Sequence, residues 1–386
     1  MENKKVLLTD IVWFQEGPGV RNTQYTDSGV KLLNVANLVD GKVDLSTSSR
    51  YISEEEAYGK YKHFLVDPGD FIIASSGIKV DYFDKKMGFV DETQLPLCMN
   101  TSTIRFKALD SSVLNIRYFM YYLKSFAFKE QLARQITGSA QLNFGPSHLK
   151  KMTMPLCPIR EQSEICEQLD TIYHVIETRQ QQLVELDNLI KARFIELFGD
   201  GHVGKAPTKM LGSICKFQQG TQIPVEEQFE EQISGYKRFL RIIDYTQAPQ
   251  PPRYVNVNGK EVNEKSVVIV RYGATAGFVG RGYQGILANN LFEIMPDETI
   301  LSKDFLFLAL KYGTFEEEVH AKAFGAAMPA LSFSMMNDIP VVVPATEQQQ
   351  QFVSFVKQTD KSKVVVQKAL EEAQLLFDSL MQEYFG

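Results

Sequence analysis

Long apolar runs are missing from this chain of 386 residues. No segment approaches the ~18 consecutive apolar residues that cross a bilayer. The opening Met1-Glu2-Asn3-Lys4-Lys5, followed by only Val6-Leu7-Leu8, has neither the apolar stretch nor the cleavage site of a secretory leader. Cysteine is scarce too. Cys98, Cys157, Cys166 and Cys215 are scattered with no Cys-x-x-Cys pair, which indicates neither a disulfide framework nor a zinc site. These absences point to a cytoplasmic protein. With 44% hydrophobic and 23% charged residues the chain has the makeup of an ordinary globular protein, long enough for two or three domains.

Motifs of catalysis are also lacking. Gly201-His202-Val203-Gly204-Lys205-Ala206 fails as a phosphate loop on spacing and on its last residue, and no GxGxxG follows a strand. There is no HExxH and no GxSxG. Pro251-Pro252 follows Gln250, so the Asn/Asp-Pro-Pro-aromatic motif of an adenine methyltransferase is absent. Asp70 with Asp84-Lys85-Lys86 has the look of a metal-dependent nuclease set, but the second half of the chain carries Ser266 where the first has Asp70. His63, His148, His174, His202 and His320 stand far apart. The chain is therefore expected to catalyse nothing and to hold no cofactor or metal of its own.

Net charge is −6, which taken alone argues against nucleic acid as a partner. Its distribution weakens that objection. Residues 161–198 carry −5 and residues 347–386 carry −2, leaving the remainder at +1 with basic side chains free to cluster.

What is present is a duplication. Leu8–Gly17 (LTDIVWFQEG) aligns with Leu211–Gly220 (LGSICKFQQG), and Gly69–Gly77 with Lys265–Gly273. Gly88-Phe89-Val90 parallels Gly277-Phe278-Val279, Tyr118–Lys124 parallels Phe305–Lys311, and Gly138-Ser139-Ala140 parallels Gly325-Ala326-Ala327. Pro158-Ile159-Arg160-Glu161-Gln162 parallels Pro344-Ala345-Thr346-Glu347-Gln348. Such order-preserving self-similarity marks a repeated structural unit. Each copy reads as short strands and loops, with Phe71–Ala74 and Val267–Val270 as buried strands, then one helix (roughly 115–136 and 302–323).

After the Pro-x-x-Glu-Gln punctuation each copy continues as a long helix free of interior Gly and Pro. Ile165, Leu169, Ile172, Ile176, Leu183, Leu186, Ile190 and Leu197 recur with alternating spacings of four and three. Phe352, Val356, Val366, Leu370, Phe377, Leu380 and Tyr384 keep that rhythm at an offset of 187. This is a coiled-coil seam, with Arg179, Arg193 and Lys363 as the polar interruptions that set register. The expected fold is α+β: two similar β-rich domains separated by a pair of long antiparallel coiled-coil helices, a pseudo-two-fold internal repeat with the globular halves at opposite ends. The boundaries are 1–160, 161–198 (first helix), 199–206 (linker), 207–346 and 347–386 (second helix).

Matching loops of the two copies hold side chains able to read base edges or stack on bases. The first offers Gln15, Arg21, Asn22, Gln24 and Tyr25, then Ser75, Ser76, Lys79, Tyr82, Lys85 and Lys86. The second offers Gln218, Gln219, Thr221 and Gln222, then Arg271, Tyr272, Thr275, Arg281 and Tyr283. Asn and Gln suit adenine, Arg and Lys suit guanine, and Ser or Thr suits either. Each alone is an ordinary loop residue; as a set on duplicated loops they point to a recognition surface.

This organisation resembles the specificity subunit of type I restriction-modification systems over essentially the whole chain. The paired Pro158/Glu161/Gln162 and Pro344/Glu347/Gln348 punctuation carries the likeness, with Gly138–Asn143 and the Arg271-Tyr272-Gly273 turn with Gly277. At Met328-Pro329-Ala330 the second copy departs from the Gln-Leu-Asn type of the first. The resemblance implies two target-recognition domains, each reading half of a bipartite asymmetric sequence in double-stranded DNA, with the helices setting the spacing. It also implies two methyltransferase subunits docked on this chain and carrying S-adenosylmethionine, and restriction subunits that use ATP and Mg. The competing reading is a structural adaptor whose globular halves bind proteins and do not read DNA.

Overall fold

The computed structural model describes residues 4–78, 80–135, 142–199, 205–247, 250–323 and 330–386. The chain divides into two compact units, Met1–Thr178 with Ala369–Gly386, and Arg179–Lys368.

In the first unit a four-stranded antiparallel sheet runs in the order β1 (Val12–Glu16), β6 (Thr103–Ala108), β3 (Phe71–Ala74), β4 (Met87–Phe89). The all-apolar run of β3 is buried at every position, as expected of a central strand covered on both faces. A smaller sheet pairs β2 (Val30–Leu33) in parallel with β5 (Leu97–Met99). Two short helices, α1 (Ile116–Lys124) and α2 (Phe126–Gln135), follow where the sequence suggests a single one. Ser125, at ψ 157°, breaks the continuity, and its hydroxyl accepts the Phe128 amide to start α2. The long helix α3 spans Ile159–Phe198.

The second unit repeats this plan. Its antiparallel sheet runs β7 (Cys215–Gln219), β12 (Leu291–Pro296), β9 (Val267–Val270), β10 (Val279–Gly280). Its smaller sheet holds the parallel pair β8 (Lys237–Leu240) and β11 (Gly285–Leu287). Helices α4 (Lys303–Tyr312) and α5 (Phe315–Ala323) precede the second long helix, α6 (Thr346–Phe385). Two copies of one topology, parallel pair included, are what a duplicated unit should give.

Each long helix has 40 residues, or about 60 Å at 1.5 Å per residue. The helices pair antiparallel in both units. In the first, the Tyr384 hydroxyl donates to Gln168 at 2.6 Å and Tyr173 meets Phe377 at 6.2 Å between ring centroids. In the second, Lys363 reaches Asp187 at 2.6 Å and Phe194 meets Phe352 at 5.6 Å. Every apolar seam position named above is buried or half-buried. The polar interruption Lys363 crosses to the partner helix, while Arg193 turns outward to Glu196.

The cores draw on both helices. Ile165, Cys166 and Leu169 of α3 share the first unit's core with Met381 and Phe385 of α6. Ile190, Phe194 and Phe198 of α3 share the second unit's core with Phe352 and Val356 of α6. All four cysteines are buried and free.

A buried glutamine locks each long helix to its module. Gln162 Nε2 donates to the carbonyls of Val113 and Cys157, both at 2.8 Å, and its Oε1 accepts the Asn115 amide at 2.9 Å. Gln349 makes the same three bonds with Ile300, Pro344 and Ser302. The equivalence therefore holds at 187 throughout, which corrects the pairing of Gln162 with Gln348 by one position. The run Gln348–Gln351 offers near-identical choices, and only burial selects Gln349. Sheet register likewise shifts another repeat block: Gly88 pairs with Ile72 as Gly280, not Gly277, pairs with Val268.

Candidate nucleic-acid interface

The repeated Phe-Gln-x-Gly segment ends a strand and drops the chain onto a turn. A Cβ on Gly17 would lie 2.0 Å from the Asn100 carbonyl oxygen, and one on Gly220 would lie 2.1 Å from that of Ala288. Only glycine allows this approach, so in both units the first candidate loop leaves over the turn that precedes β6 or β12. The same turn ties down the second loop. Ser75 N–H donates to the Ser102 carbonyl at 2.8 Å, and Arg271 N–H to that of Asn290 at 2.9 Å. Ser102 holds φ at 65°, and the Asn290 side-chain oxygen is buried without a hydrogen bond.

In the first unit this turn gathers Tyr25, Ser76 and their neighbours. Asn100 Nδ2 reaches the Tyr25 hydroxyl at 3.4 Å, and the Ser76 hydroxyl donates to that of Ser102 at 2.6 Å. Arg21 and Asn22 are exposed. Gln24 donates to Glu56 at 2.7 Å and to Tyr61 at 3.0 Å, and the Arg50 guanidinium covers the Tyr25 ring at 5.3 Å. Tyr82 is 53% exposed, with Lys85 beside it, 6.0 Å from the ring and 3.7 Å from Asp40. Lys86 instead donates inward to the Leu38 carbonyl at 2.9 Å. Ser75, 1% exposed, has no surface to offer and leaves the candidate set. Lys79 lies outside the described residues.

Gln15 belongs to a buried charged network. Its Oε1 accepts from Arg105 at 2.6 Å, and Arg105 pairs with Asp70 at 3.0 Å and donates to the carbonyls of Leu65 and His63. Trp13 lies under the same guanidinium at 5.1 Å. Lys107 joins Asp70 at 3.1 Å and Asp67 at 2.5 Å. The hydrogen bond from Lys107 holds the Asp67 carboxyl below its usual range. Asp84, the other acid of the nuclease-like set, pairs with Lys129 at 2.8 Å.

In the second unit Gln218 is exposed on β7, while Gln219 donates to the Asn289 carbonyl and Gln222 accepts from the Asn289 side chain. Thr221 accepts the Lys260 amide at 2.8 Å. Arg271 lies over Tyr272 at 4.7 Å and donates to the Leu331 carbonyl, and Thr275 is exposed. Arg281 pairs with Asp304 at 3.2 Å. Burial would raise that carboxyl, but the hydrogen bond from Lys357 and the charge of Arg281 outweigh it and hold it below its usual range. Tyr283 packs between Arg238 at 4.5 Å and Tyr245 at 5.3 Å.

Sequence reasoning missed Asn100, Ser102, Asn289 and Asn290, which stitch the loops together, and the ring-covering Arg50 and Arg238. A polar cluster immediately before a buried strand, at matching places in both copies, was the available signal. Of the Gly138–Asn143 segment, Leu142-Asn143 pairs with the Ser76–Ile78 strand. Residues 138–141 lie outside the described residues, as do Gly325-Ala326-Ala327 and Met328-Pro329. Ala330 makes the corresponding bridge to Tyr272, so the departing second copy keeps this pairing. Among the described residues no helix is long and apolar enough to cross a membrane, and no cluster of three or more metal-ligating side chains occurs.

The sequence profile of the type I restriction modification DNA specificity domain matches residues 2–188 and 206–374. The chain is 25% identical over 190 residues to the type I restriction enzyme MjaVIII specificity subunit of Methanocaldococcus jannaschii, a match covering 48% of this chain and 43% of that relative. It thus spans less than half of that relative's length. Two solved structures share the fold. The S subunit of a type I restriction-modification system from M. genitalium has a TM-score of 0.53 at 17% identity, over 99% of this chain and 96% of that one. A chain from work on complex assembly and conformational transition of the type I R-M system has a TM-score of 0.59 at 15% identity, over 99% and 97%.

Proposed function

Because the chain belongs to the type I restriction modification DNA specificity family, we propose that it is the non-catalytic DNA-reading subunit of such a complex, each β-rich module reading one half of a bipartite asymmetric target. One observation carries the reading: the same turn organises the same two loops twice, while the side chains those loops display differ between copies. A common scaffold with different displayed groups is what two half-sites of different sequence require. In the first module the exposed members are Arg21, Asn22, Tyr82 and Lys85, and in the second Gln218, Gln219, Gln222 and Thr275, with Gln219 and Gln222 both bonded to Asn289. The buried or inward-bonded candidates hold these in place.

Replacing Tyr82 and Lys85 by alanine is expected to relax one half of the modified sequence and leave the other intact. Discrimination at the affected positions should fall by about 10- to 100-fold, the worth of a good base contact. Mapping modified adenines with the assembled complex measures this, and relaxation of both halves would refute modular readout.

The long helices are assigned two tasks in this reading. They dock two methyltransferase subunits, which carry S-adenosylmethionine, with restriction subunits using ATP and Mg as further partners. Val364, Val365, Leu375 and Leu376 of α6, each more than half exposed, are the apolar contacts this needs. Leu375→Asp with Leu376→Asp should abolish co-purification with the methyltransferase subunits at unchanged thermal stability; retained assembly would exclude this face. The helices also set the distance between half-sites. Removing one heptad from each shortens the pair by about 10 Å, or about 3 base pairs, and an unchanged spacer in the modified sequence would rule out a ruler.

A further inference from the structure

The duplication supplies an internal control for unfilled space. In the first unit the connection from β3 to β4 spans residues 75–86, and the turn Val80–Lys85 within it covers the α1–α2 pair. Phe83, fully buried, stacks on Phe128 of α2 at 5.7 Å and 29° and meets Phe144 at 6.0 Å. Beside it Asp84 pairs with Lys129. The connection from β9 to β10 spans only residues 271–278, four fewer, and carries Ala274-Thr275-Ala276-Gly277 in place of an inserted ring. At the offset of 187, Phe128, Lys129 and Leu132 correspond to Phe315, Glu316 and Val319. There the second unit has a cleft of about 860 Å³.

The short loop closes one edge of this cleft without filling it. Gly277, at φ 91°, brings its backbone so near α5 that a Cβ would lie 2.5 Å from Val319 Cγ1. Phe278, 42% exposed, supplies a flat apolar wall, the Phe307 ring carries the Arg281 guanidinium at 4.6 Å, and Phe315, 2% exposed, lies at the buried base of the lining. Lys311 brings positive charge to the lining, joined by Arg281, whose guanidinium is already paired with Asp304 at 3.2 Å, and Gln247, Thr275 and Glu316 bring donors and acceptors. The Asp244 carboxylate, also in the lining, is engaged by Arg238 at 3.2 Å and Arg241 at 3.1 Å. A volume that accepts an aromatic ring in one copy, framed in the other by an exposed ring, hydrogen-bonding groups, a lysine and a partnered arginine, suits a planar heterocycle bearing an anion.

We propose that this cleft binds one unstacked nucleotide, its base lodged against Phe278 and beside the Arg281-covered Phe307 ring, and its phosphate toward Lys311. The assignment rests on the DNA-reading function to the extent that the nucleotide comes from the bound target; a free nucleotide has the same chemistry. In the first module Phe83 occupies the place, so the two half-sites are read differently: one by the surface alone, the other by surface and cleft. A base taken out of the stack exposes its full hydrogen-bonding edge to Gln247, Thr275 and Glu316.

The test uses the full chain assembled with its methyltransferase subunits, and target duplexes carrying 2-aminopurine at each position in turn. Ala274 is exposed, so Ala274→Phe adds the missing ring from the rim; Lys311→Ala removes one cation. The expected result is enhanced emission at one position of one half-site. Ala274→Phe should abolish it and weaken target binding at least about tenfold, the loss of one stacked base. Lys311→Ala should weaken binding several-fold and lower the salt dependence by about one counterion. Calorimetry with AMP, GMP, CMP and TMP separates the sources: binding of a free nucleotide that Ala274→Phe abolishes, without any emission change in DNA, supports the cleft with a free ligand. Should wild-type complex bind no DNA yet take up a free nucleotide, the DNA-reading function fails and the cleft assignment stands. If no probe responds and Lys311→Ala is silent, or if Ala274→Phe spares DNA and instead releases a methyltransferase subunit, the nucleotide assignment is overturned.

Discussion

Phe385→Ala should destabilise the protein by about 3–5 kcal/mol, the usual range for truncating a fully packed phenylalanine, and the damage should fall on the module more than 200 residues earlier in sequence. Phe385 is 4% exposed, and its ring lies 5.0 Å from Tyr118 and 6.1 Å from Tyr122, both fully buried in α1. Met381 lies one turn before it in the same core. Removing the ring opens a void among large, stiff side chains that cannot collapse onto it. Hydrogen exchange should show lost protection in Ile116–Lys124 and in the strand Thr153–Leu156, while Lys303–Tyr312 stays protected. Equal loss in both modules, or none, would mean that the end of α6 is not part of the first core.

Asp70→Asn should cost a similar ~3–5 kcal/mol, for a different reason. Arg105 and Asp70 are each almost wholly buried, and neutralising the acid strands a guanidinium that keeps its charge. The turn before β3 would survive, since an amide oxygen can still accept the Asp67 N–H that Asp70 Oδ2 takes at 2.9 Å. Ser266 holds the same turn in the second module, accepting the Asn263 amide at 3.2 Å, and carries no charge. Ser266→Ala should therefore cost only ~1 kcal/mol. The double change Asp70→Leu with Arg105→Met should be milder than Asp70→Asn, because no lone charge remains. Chemical denaturation of the three variants measures the order, and an Asp70→Asn protein as stable as wild type would show that water reaches Arg105.

The second module solves the same problem with the signs reversed. Glu293 stands on β12 where Arg105 stands on β6, and it pairs with Lys260 at 2.5 Å. Likewise Arg117 on α1 meets Asp170 on α3 at 2.7 Å, while Asp304 on α4 meets Lys357 on α6 at 2.9 Å. Arg117 and Asp170 have exchanged charge as a pair with Asp304 and Lys357, which individual sequence comparison scores as mismatch although the contact persists.

How much was legible from sequence follows the range of the interactions involved. Phe71–Ala74, Val267–Val270 and both long helices were readable because burial of a short apolar run and a 4–3 rhythm are local signals. The rhythm chose Leu197, Leu380 and Tyr384, which are half-buried, and passed over Phe194, Phe198, Met381 and Phe385. Those four leave the helix-to-helix seam and face a globular core, which a seam pattern does not describe. Gln349 and Gly280 were misplaced by one and three positions because glutamine runs and glycine-rich turns repeat over short distances. Among the recognition candidates, the sequence did not reveal which side chains are available at the surface. Gln24 is taken by Glu56 and Tyr61, and Lys86 by the Leu38 carbonyl, partners 32 to 48 residues away that no local pattern reveals.

The sharing of cores between the two long helices has a consequence during synthesis. The first module to leave the ribosome lacks Met381 and Phe385, so the side of Tyr118 and Tyr122 that meets Phe385 stays open while some 200 further residues are made. The second module finds Phe194 and Phe198 already translated and closes as α6 begins to emerge. Maturation therefore runs against the order of translation, and the nascent chain is most exposed to capture by chaperones through the half it made first.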